Sequence, residues 1–311
     1  MADVLYAADR FKIAESDLYS FGAAGRKIPV IETFSITYSV AVSIDDHQRH
    51  EDHVQPRGLE VRSGHWFGNP ESIDLIHGVG QDFDSGLALV KPSLPLQGPS
   101  MALGRADALN IGDTVSVMSS GGRAQVIEAR VVAKQEFAGR WEYVLDHAVF
   151  TSPPHESWSG AALVDSHGRL CGLGSLVIQG FEMRGATATV NMFVPIELLA
   201  PIIDEVVAHG RRLSPPRPWL GMLVHDDQHD LTVVGVYRNC PADKAGLRPG
   251  DVIVGIDDAP VNGLANMFRR MWSLGSAGVD VPLDVLRNSE RMQLKVRSGD
   301  RAGFQRKGTL Q

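Results

Sequence analysis

The sequence predicts a mainly β protein built from two globular parts. The first observation is a long series of short apolar runs, bounded by turn residues, from about residue 30 to residue 195. The second is a single segment with helical spacing, 195–210, which closes this series. The third is a polar, proline-dense linker, 211–218, after which a new series of apolar runs begins. Strand after strand with few helical patterns is typical of β-barrels and sandwiches.

The apolar runs of the first part each predict a strand. They cover residues 36–44, 87–90, 114–118, 124–132, 143–145, 161–164, 170–176 and 188–193. In the helical segment, Gly210 is suited to follow the last turn, and Pro201 indicates a kink or a late helix start.

The composition excludes several classes of function. A chain of 311 residues with 43% hydrophobic and 22% charged residues has the make-up of a soluble protein with real cores. A net charge of −7 argues against a nucleic-acid partner. No apolar run is long enough to span a bilayer. No signal peptide is visible, so the sequence as it stands predicts a cytoplasmic protein. Cys171 and Cys240 are far apart and are predicted to be buried free thiols.

The second part opens on Trp219, Leu220, Gly221 and Met222, an apolar–Gly–apolar turn at the start of a predicted strand. Successive N–H groups in such a turn can form a nest for a carboxylate. Together with the run 240–258, this turn resembles the PDZ domain. The resemblance implies that the four residues bind the C-terminal carboxylate of a peptide that adds as a strand. The alternative is that Leu220 and Met222 are only core positions.

The remainder of the second part alternates strands with one helix. Strands are predicted at 233–236, 252–256, 281–286 and 292–296, and a helix at about 264–274. Met267 and Met271 lie one helical turn apart and are interpreted as core residues. A polar tail is expected to follow.

The stretch 152–175 carries the chemistry of the first part. Ser159 and Gly160 stand before an apolar strand, a short turn and a second apolar strand. This stretch resembles the nucleophile region of trypsin-fold serine proteases of the HtrA/Deg type, in which a double β-barrel precedes a PDZ domain. The resemblance covers about 75–210 and implies that Ser159 is the nucleophile. The alternative is a retained turn serine.

The flanks of this serine depart from the HtrA pattern. Ser157 and Trp158 stand where the family has Gly-Asn, and Ala161 replaces a glycine. Glycine relieves strain in a loop that aims N–H groups at an oxyanion. An impaired oxyanion hole is therefore expected.

The rest of the catalytic triad departs further. Gly86 occupies the slot of the orienting aspartate; Asp84 lies two residues upstream and Asp82 four. A two-residue shift moves a side chain by about 6.6 Å along a strand. The only comparable general base is His53, in a charged loop, 45–56, where the family has an apolar strand. The HtrA resemblance thus implies Ser159, His53 and Asp84 as a degenerate triad.

A metal site is an alternative interpretation of the charged loop 45–56. Imidazoles and carboxylates at this spacing suit zinc, but they match no specific zinc signature. A solvated loop explains them as well, so neither a metal nor another cofactor is predicted. The residues are His47, His50, His53, Asp46, Glu51 and Asp52.

Two functional hypotheses follow. One is an HtrA-like homologue that binds peptides or protein C-termini through its PDZ domain, with weak or no hydrolysis. The other is an active HtrA-type serine endopeptidase that acts on unfolded or damaged proteins with Ser159 as its nucleophile. The family resemblance also implies a periplasmic or exported location as the alternative to the cytoplasm. HtrA proteases often form trimers, but residues 1–30 show no recognisable element for this, so a homo-oligomer stays open.

The predicted domain organisation has five parts. These are a diverged start of the first barrel at 1–74, the protease-like region at 75–210, the linker at 211–218, the PDZ domain at 219–300 and a polar tail at 301–311.

Overall fold

The computed structural model describes residues 41–42, 76–92, 101–119, 126–183, 186–227 and 230–304. These residues divide into two compact units. The first contains the described residues up to 136 and 145–213, and the second contains Phe137–Val144 and the described residues from 214 onward. Within the described ranges, no helix is long and apolar enough to cross a membrane.

The first unit begins with a three-stranded sheet in the order β1-β3-β2. Its strands are β1 (Ala41–Val42), β2 (Ile76–Asp82) and β3 (Leu87–Pro92). The antiparallel strands β2 and β3 are joined by a tight turn that ends at Gly86, whose φ is 75°.

The remaining strands of the first unit take part in a closed barrel in the order β4-β5-β6-β9-β8-β7. Apolar side chains of these strands, among them Val117, Val149, Leu163 and Phe193, are fully buried and form its core. The strands are β4 (Thr114–Met118), β5 (Val126–Gly139), β6 (Tyr143–Ser152), β7 (Ala162–Val164), β8 (Leu170–Met183) and β9 (Ala186–Pro195).

The helix that follows the barrel starts late, as Pro201 indicated. A short 3₁₀ turn, Ile196–Leu198, precedes α1, which spans Ile203–His209. Gly210 ends it with φ 72° and donates its N–H to the carbonyl of Val206 at 2.8 Å. A left-handed glycine is the usual solution for this last turn because it has no Cβ to clash.

The second unit contains a twisted sheet in the order β10-β11-β12-β14-β15, with β13 paired to β12. Strand β10 therefore lies at an edge of this sheet. The strands are β10 (Met222–Asp227), β11 (Asp230–Val236), β12 (Val252–Ile256), β13 (Ala259–Pro260), β14 (Asp280–Arg287) and β15 (Glu290–Arg297). The helices are α2 (Pro241–Lys244), α3 (Leu264–Ser273) and α4 (Arg301–Phe304).

Side chains from the sheet and from α3 form the core of the second unit. Met267 and Met271 are both fully buried in it, which confirms their interpretation as core residues. Both cysteines are buried and free, as predicted. Burial raises the pKa of each thiol to about 11, so neither is an activated nucleophile at neutral pH.

The tail predicted for 301–311 begins later than expected. Arg301–Phe304 form α4, and the Phe304 ring lies 4.9 Å from the Trp219 ring. This contact between two aromatic rings holds the start of the predicted polar tail against the second unit. Residues 305–311 lie outside the described residues.

Candidate functional site

Ser159 lies on the tight turn between β6 and β7. The turn is closed by the Ala161 N–H, which donates to the Trp158 carbonyl at 3.0 Å. Strand β8 then holds the turn by two further hydrogen bonds, from Gly160 N to Gly174 O at 2.8 Å and from Gly174 N to Ala161 O at 2.7 Å. The barrel therefore fixes the backbone on both sides of Ser159, whose side chain is half-buried.

The backbone N–H of Ser157, which stands in the slot of an oxyanion-hole glycine, donates to a neighbouring side chain. Ser157 donates its N–H to Nδ1 of His155 at 3.0 Å, and the His155 N–H donates to Oδ1 of Asn191 at 2.6 Å. His155 and Asn191 are both buried. Because Nδ1 accepts, the neutral imidazole of His155 carries its proton on Nε2. Sequence reasoning missed His155, although it lies only four residues before Ser159.

Of the two aspartates near the orienter slot, Asp82 ends β2 and Asp84 lies on the turn between β2 and β3. Asp82 is buried and accepts hydrogen bonds from the N–H and Oγ of Ser85 at 2.9 and 2.6 Å. Arg212 reaches both carboxylates, with distances of 3.0 Å to Asp82 and 3.6 Å to Asp84. The role of Asp84 as an orienter stays a prediction.

His53 and the other five residues of the alternative metal site lie outside the described residues. Among the ranges that are described, no group of three or more histidine, cysteine, aspartate or glutamate side chains is arranged to hold a metal ion.

The carboxylate nest predicted at the start of the second unit binds a carboxylate. Leu220, Gly221 and Met222 donate their N–H groups to the side chain of Glu142, at distances of 2.7 to 3.2 Å. Trp219 instead donates its N–H to the Gly299 carbonyl at 3.0 Å. Three consecutive N–H groups, rather than four, therefore form the nest.

Gly221 is required at the centre of this nest. Its φ is 79°, and an added Cβ would lie 2.6 Å from Cβ of Cys240. The carbonyl of Gly221 accepts a hydrogen bond from Sγ of Cys240 at 3.3 Å. With its oxygen turned to that thiol, Gly221 directs its N–H group at the carboxylate.

Glu142 comes from the loop Arg140-Trp141-Glu142 between β5 and β6, within the second unit. Burial raises the pKa of its carboxyl from 4.5 to about 7, although the hydrogen bonds from the nest and the charge of Arg301 lower it. The carbonyl of Arg140 accepts a hydrogen bond from the Val224 N–H at 3.0 Å. Sequence reasoning missed Glu142; the one available signal is an acidic residue between two aromatic residues of an apolar stretch.

A serine turn on a closed β-barrel, followed by a sheet unit with a carboxylate nest, is the arrangement expected of a trypsin-like fold with a PDZ domain. A family model described as the PDZ domain matches residues 218–297. The chain is 27% identical over 237 residues to a probable periplasmic serine endoprotease, DegP-like, of Hahella chejuensis, covering 71% of this chain and 48% of the relative. It is 22% identical over 229 residues to the periplasmic serine endoprotease DegP of Escherichia coli, covering 70% and 48%.

A solved structure of the HtrA-type protease AlgW with a decapeptide is 25% identical, covers 72% of this chain and 71% of that one, and gives a TM-score of 0.45. The chain spans about half the length of the curated relatives it matches. The chain is therefore homologous to the HtrA/DegP serine endoproteases over about 71% of its length, and it contains a PDZ domain at residues 218–297.

These findings confirm the predicted family and the mainly β fold class. They do not support the predicted cytoplasmic location, because the relatives are named as periplasmic proteases. A degenerate triad stays a prediction.

Proposed function

We propose that this chain is an HtrA-type serine endopeptidase that recognises free C-terminal carboxylates through residues 220–222, with Ser159 as its nucleophile. The observation that carries the proposal is the carboxylate held by three consecutive N–H groups beside the edge strand β10. A C-terminal carboxylate presents the same two oxygens, and an extended peptide adds to a sheet edge through its backbone.

The peptide interaction is tested with a fluorescent decapeptide ending in Ala-Ala-Val, as the free acid and as the C-terminal amide, against the full chain. Hydrogen bonds to a charged group contribute about 1.5–3 kcal/mol, so amidation is expected to weaken binding by roughly tenfold to a hundredfold. Fluorescence polarisation measures both affinities. Equal affinities for acid and amide would contradict recognition of the carboxylate.

Hydrolysis at Ser159 requires a base, an orienting carboxylate and oxyanion donors. We assign His53 as the base and Asp84 as the orienter. The N–H groups of Ser157 and Ser159 are the oxyanion donors, and the Ser157 peptide must turn away from His155 before it can serve. The two relatives are named as serine endoproteases, which supports hydrolysis as the activity.

A homologue without hydrolytic activity is the second candidate function. Gly86, in the slot of the orienting aspartate, has φ 75°, so an aspartate there would be strained. The carboxylates of Asp82 and Asp84 pair with Arg212, and the Ser157 N–H is engaged by His155. These contacts favour a retained scaffold.

A fluorophosphonate probe separates the two candidates, because it labels a serine only when a base and oxyanion donors activate it. We expect labelling of the wild-type chain, loss of labelling in Ser159→Ala, and unchanged labelling in Ser175→Ala, a control on β8. Mass spectrometry of the labelled peptide locates the adduct. A wild-type chain that stays unlabelled under these conditions would favour the second candidate.

We also propose a periplasmic location, in line with the names of the relatives, and unfolded or damaged proteins as substrates. Such chains expose both extended backbone for the protease region and free C-termini for the nest. A homo-oligomer stays a prediction.

A further inference from the structure

The carboxylate nest already has a ligand within the same chain. We propose that Glu142 is a resident competitor for the nest, so that a C-terminal peptide binds only by displacing the loop Arg140-Trp141-Glu142. This inference rests on the proposed recognition of C-terminal carboxylates by residues 220–222. In the absence of peptide, the loop occupies the position that the C-terminus of a bound peptide would take.

The loop uses both kinds of anchor that an added peptide strand would use. The carboxylate of Glu142 accepts the nest N–H groups, and the carbonyl of Arg140 accepts from the edge strand at Val224, 3.0 Å away. In an extended peptide, carbonyls face the same side every second residue, so the C-terminal carboxylate and the carbonyl two residues before it face the same donors. A peptide that ends in the nest therefore needs the same donors on the protein.

The loop is a folded part of the second unit. The Trp141 ring stacks on Tyr143 at 5.9 Å and lies 6.1 Å from Phe137. A Cβ added to Gly139 would lie 2.8 Å from the Trp141 ring, so the ring packs directly on the glycine backbone. The side chain of Val144 is buried in the core of this unit. These contacts position Glu142 before any peptide arrives.

The backbone of Glu142 has a strained conformation, which indicates that its side chain has a function at this position. Its φ is 62°, in the left-handed region. In hairpin loops of three residues this position favours glycine, because a side chain there is strained. A strained residue that persists at a binding site points to a function for its side chain. Here the side chain is the one that fills the nest.

Competition of this kind lowers the apparent affinity for a peptide by the fraction of molecules whose nest is open. The test uses the full chain and the decapeptide ending in Ala-Ala-Val, as free acid and as amide. Glu142→Gln replaces one of the two acceptor oxygens by an amide NH₂, which cannot accept a hydrogen bond from the nest N–H groups, so the loop is expected to release. Glu128→Gln is the matched control, because Glu128 is an exposed glutamate of β5, the strand that precedes this loop.

We expect Glu142→Gln to bind the free acid about tenfold more tightly than the wild type, and Glu128→Gln to bind like the wild type. If the wild type and Glu142→Gln bind the free acid equally well, and both prefer it to the amide, the competition is overturned and the proposed function stands. If no variant prefers the acid to the amide, the proposed function itself fails.

Hydrogen exchange on the wild-type chain provides a measurement that depends on no substitution. Saturating peptide is expected to speed exchange in 139–143 while residues 220–224 stay protected, since one ligand replaces another there. Unchanged exchange in 139–143 at saturation would overturn the displacement.

Discussion

Gly174→Ala is expected to disrupt the turn that carries Ser159 and to lower the free energy of unfolding of the barrel by about 2–4 kcal/mol. An added Cβ would lie 2.0 Å from the carbonyl oxygen of Trp158. That oxygen belongs to the backbone of the serine turn, so no side-chain rotation relieves the contact. The turn must move, and the hydrogen bonds that Gly174 makes with Gly160 and Ala161 are lost with it.

Urea unfolding measures the stability, and fluorophosphonate labelling reports on Ser159. Gly180→Ala is the matched control, because it lies on the same strand and its added Cβ meets nothing within 4 Å. Its positive φ is expected to cost about 1 kcal/mol and to leave labelling intact. Stability of Gly174→Ala within about 0.5 kcal/mol of the wild type would contradict the close approach.

Local pattern was enough to predict most strands. Those predicted at 114–118 and 252–256 have the bounds that the structure shows. The strand predicted at 170–176 continues to Met183, because bulges between Gly174 and Leu176 and between Ile178 and Phe181 let polar positions continue the pairing. Such irregularities leave no periodic signal in a single sequence.

The assignment of the loop before Tyr143 to the second unit was not predictable either. Tyr143 and Val144 form an apolar run that predicts a strand, and the strand exists. Their apolar character does not say which of two cores they enter. That choice depends on the shape of the partner surface, which is encoded elsewhere in the chain.

For the candidate sites, the sequence predicts the local turns but not the distant residues that contact them. The serine turn and the carboxylate nest are each contained in a few consecutive residues, so turn chemistry reveals them. The partners of these sites come from afar in sequence. Glu142 lies 78 residues before Leu220, and Arg212 lies 130 residues after Asp82. The aromatic neighbours of Glu142 are the one local signal, and they do not identify the group that its carboxylate contacts.

The contribution of Glu142 to stability is expected to fall as the pH rises from about 4.5 to about 7. Burial raises the pKa of its carboxyl from 4.5 to about 7, so the docked loop binds the proton more tightly than the released loop does. The stabilisation is complete below the lower value and is lost as the pH passes the upper one. At about 1.4 kcal/mol for each pKa unit, the loss is at most about 3.5 kcal/mol.

The measurement compares the free energies of unfolding of the wild type and Glu142→Gln at pH 5 and pH 8, with Glu128→Gln as the control. The advantage of the wild type over Glu142→Gln should shrink at the higher pH, while its advantage over Glu128→Gln stays constant. A difference between wild type and Glu142→Gln that does not change, or that grows with pH, would contradict the raised pKa.

The raised pKa of Glu142 also determines how peptide affinity changes with pH. A C-terminal carboxyl has an ordinary pKa of about 3.5 and is ionised throughout this range. Burial raises the pKa of the nearby Cys240 thiol to about 11, so this thiol stays neutral across the range. The carboxyl of Glu142 does titrate within it, and its hold on the nest weakens as the pH rises. Wild-type affinity for the peptide is therefore expected to increase from pH 5.5 to pH 8, whereas that of Glu142→Gln stays level, because glutamine has no proton to lose.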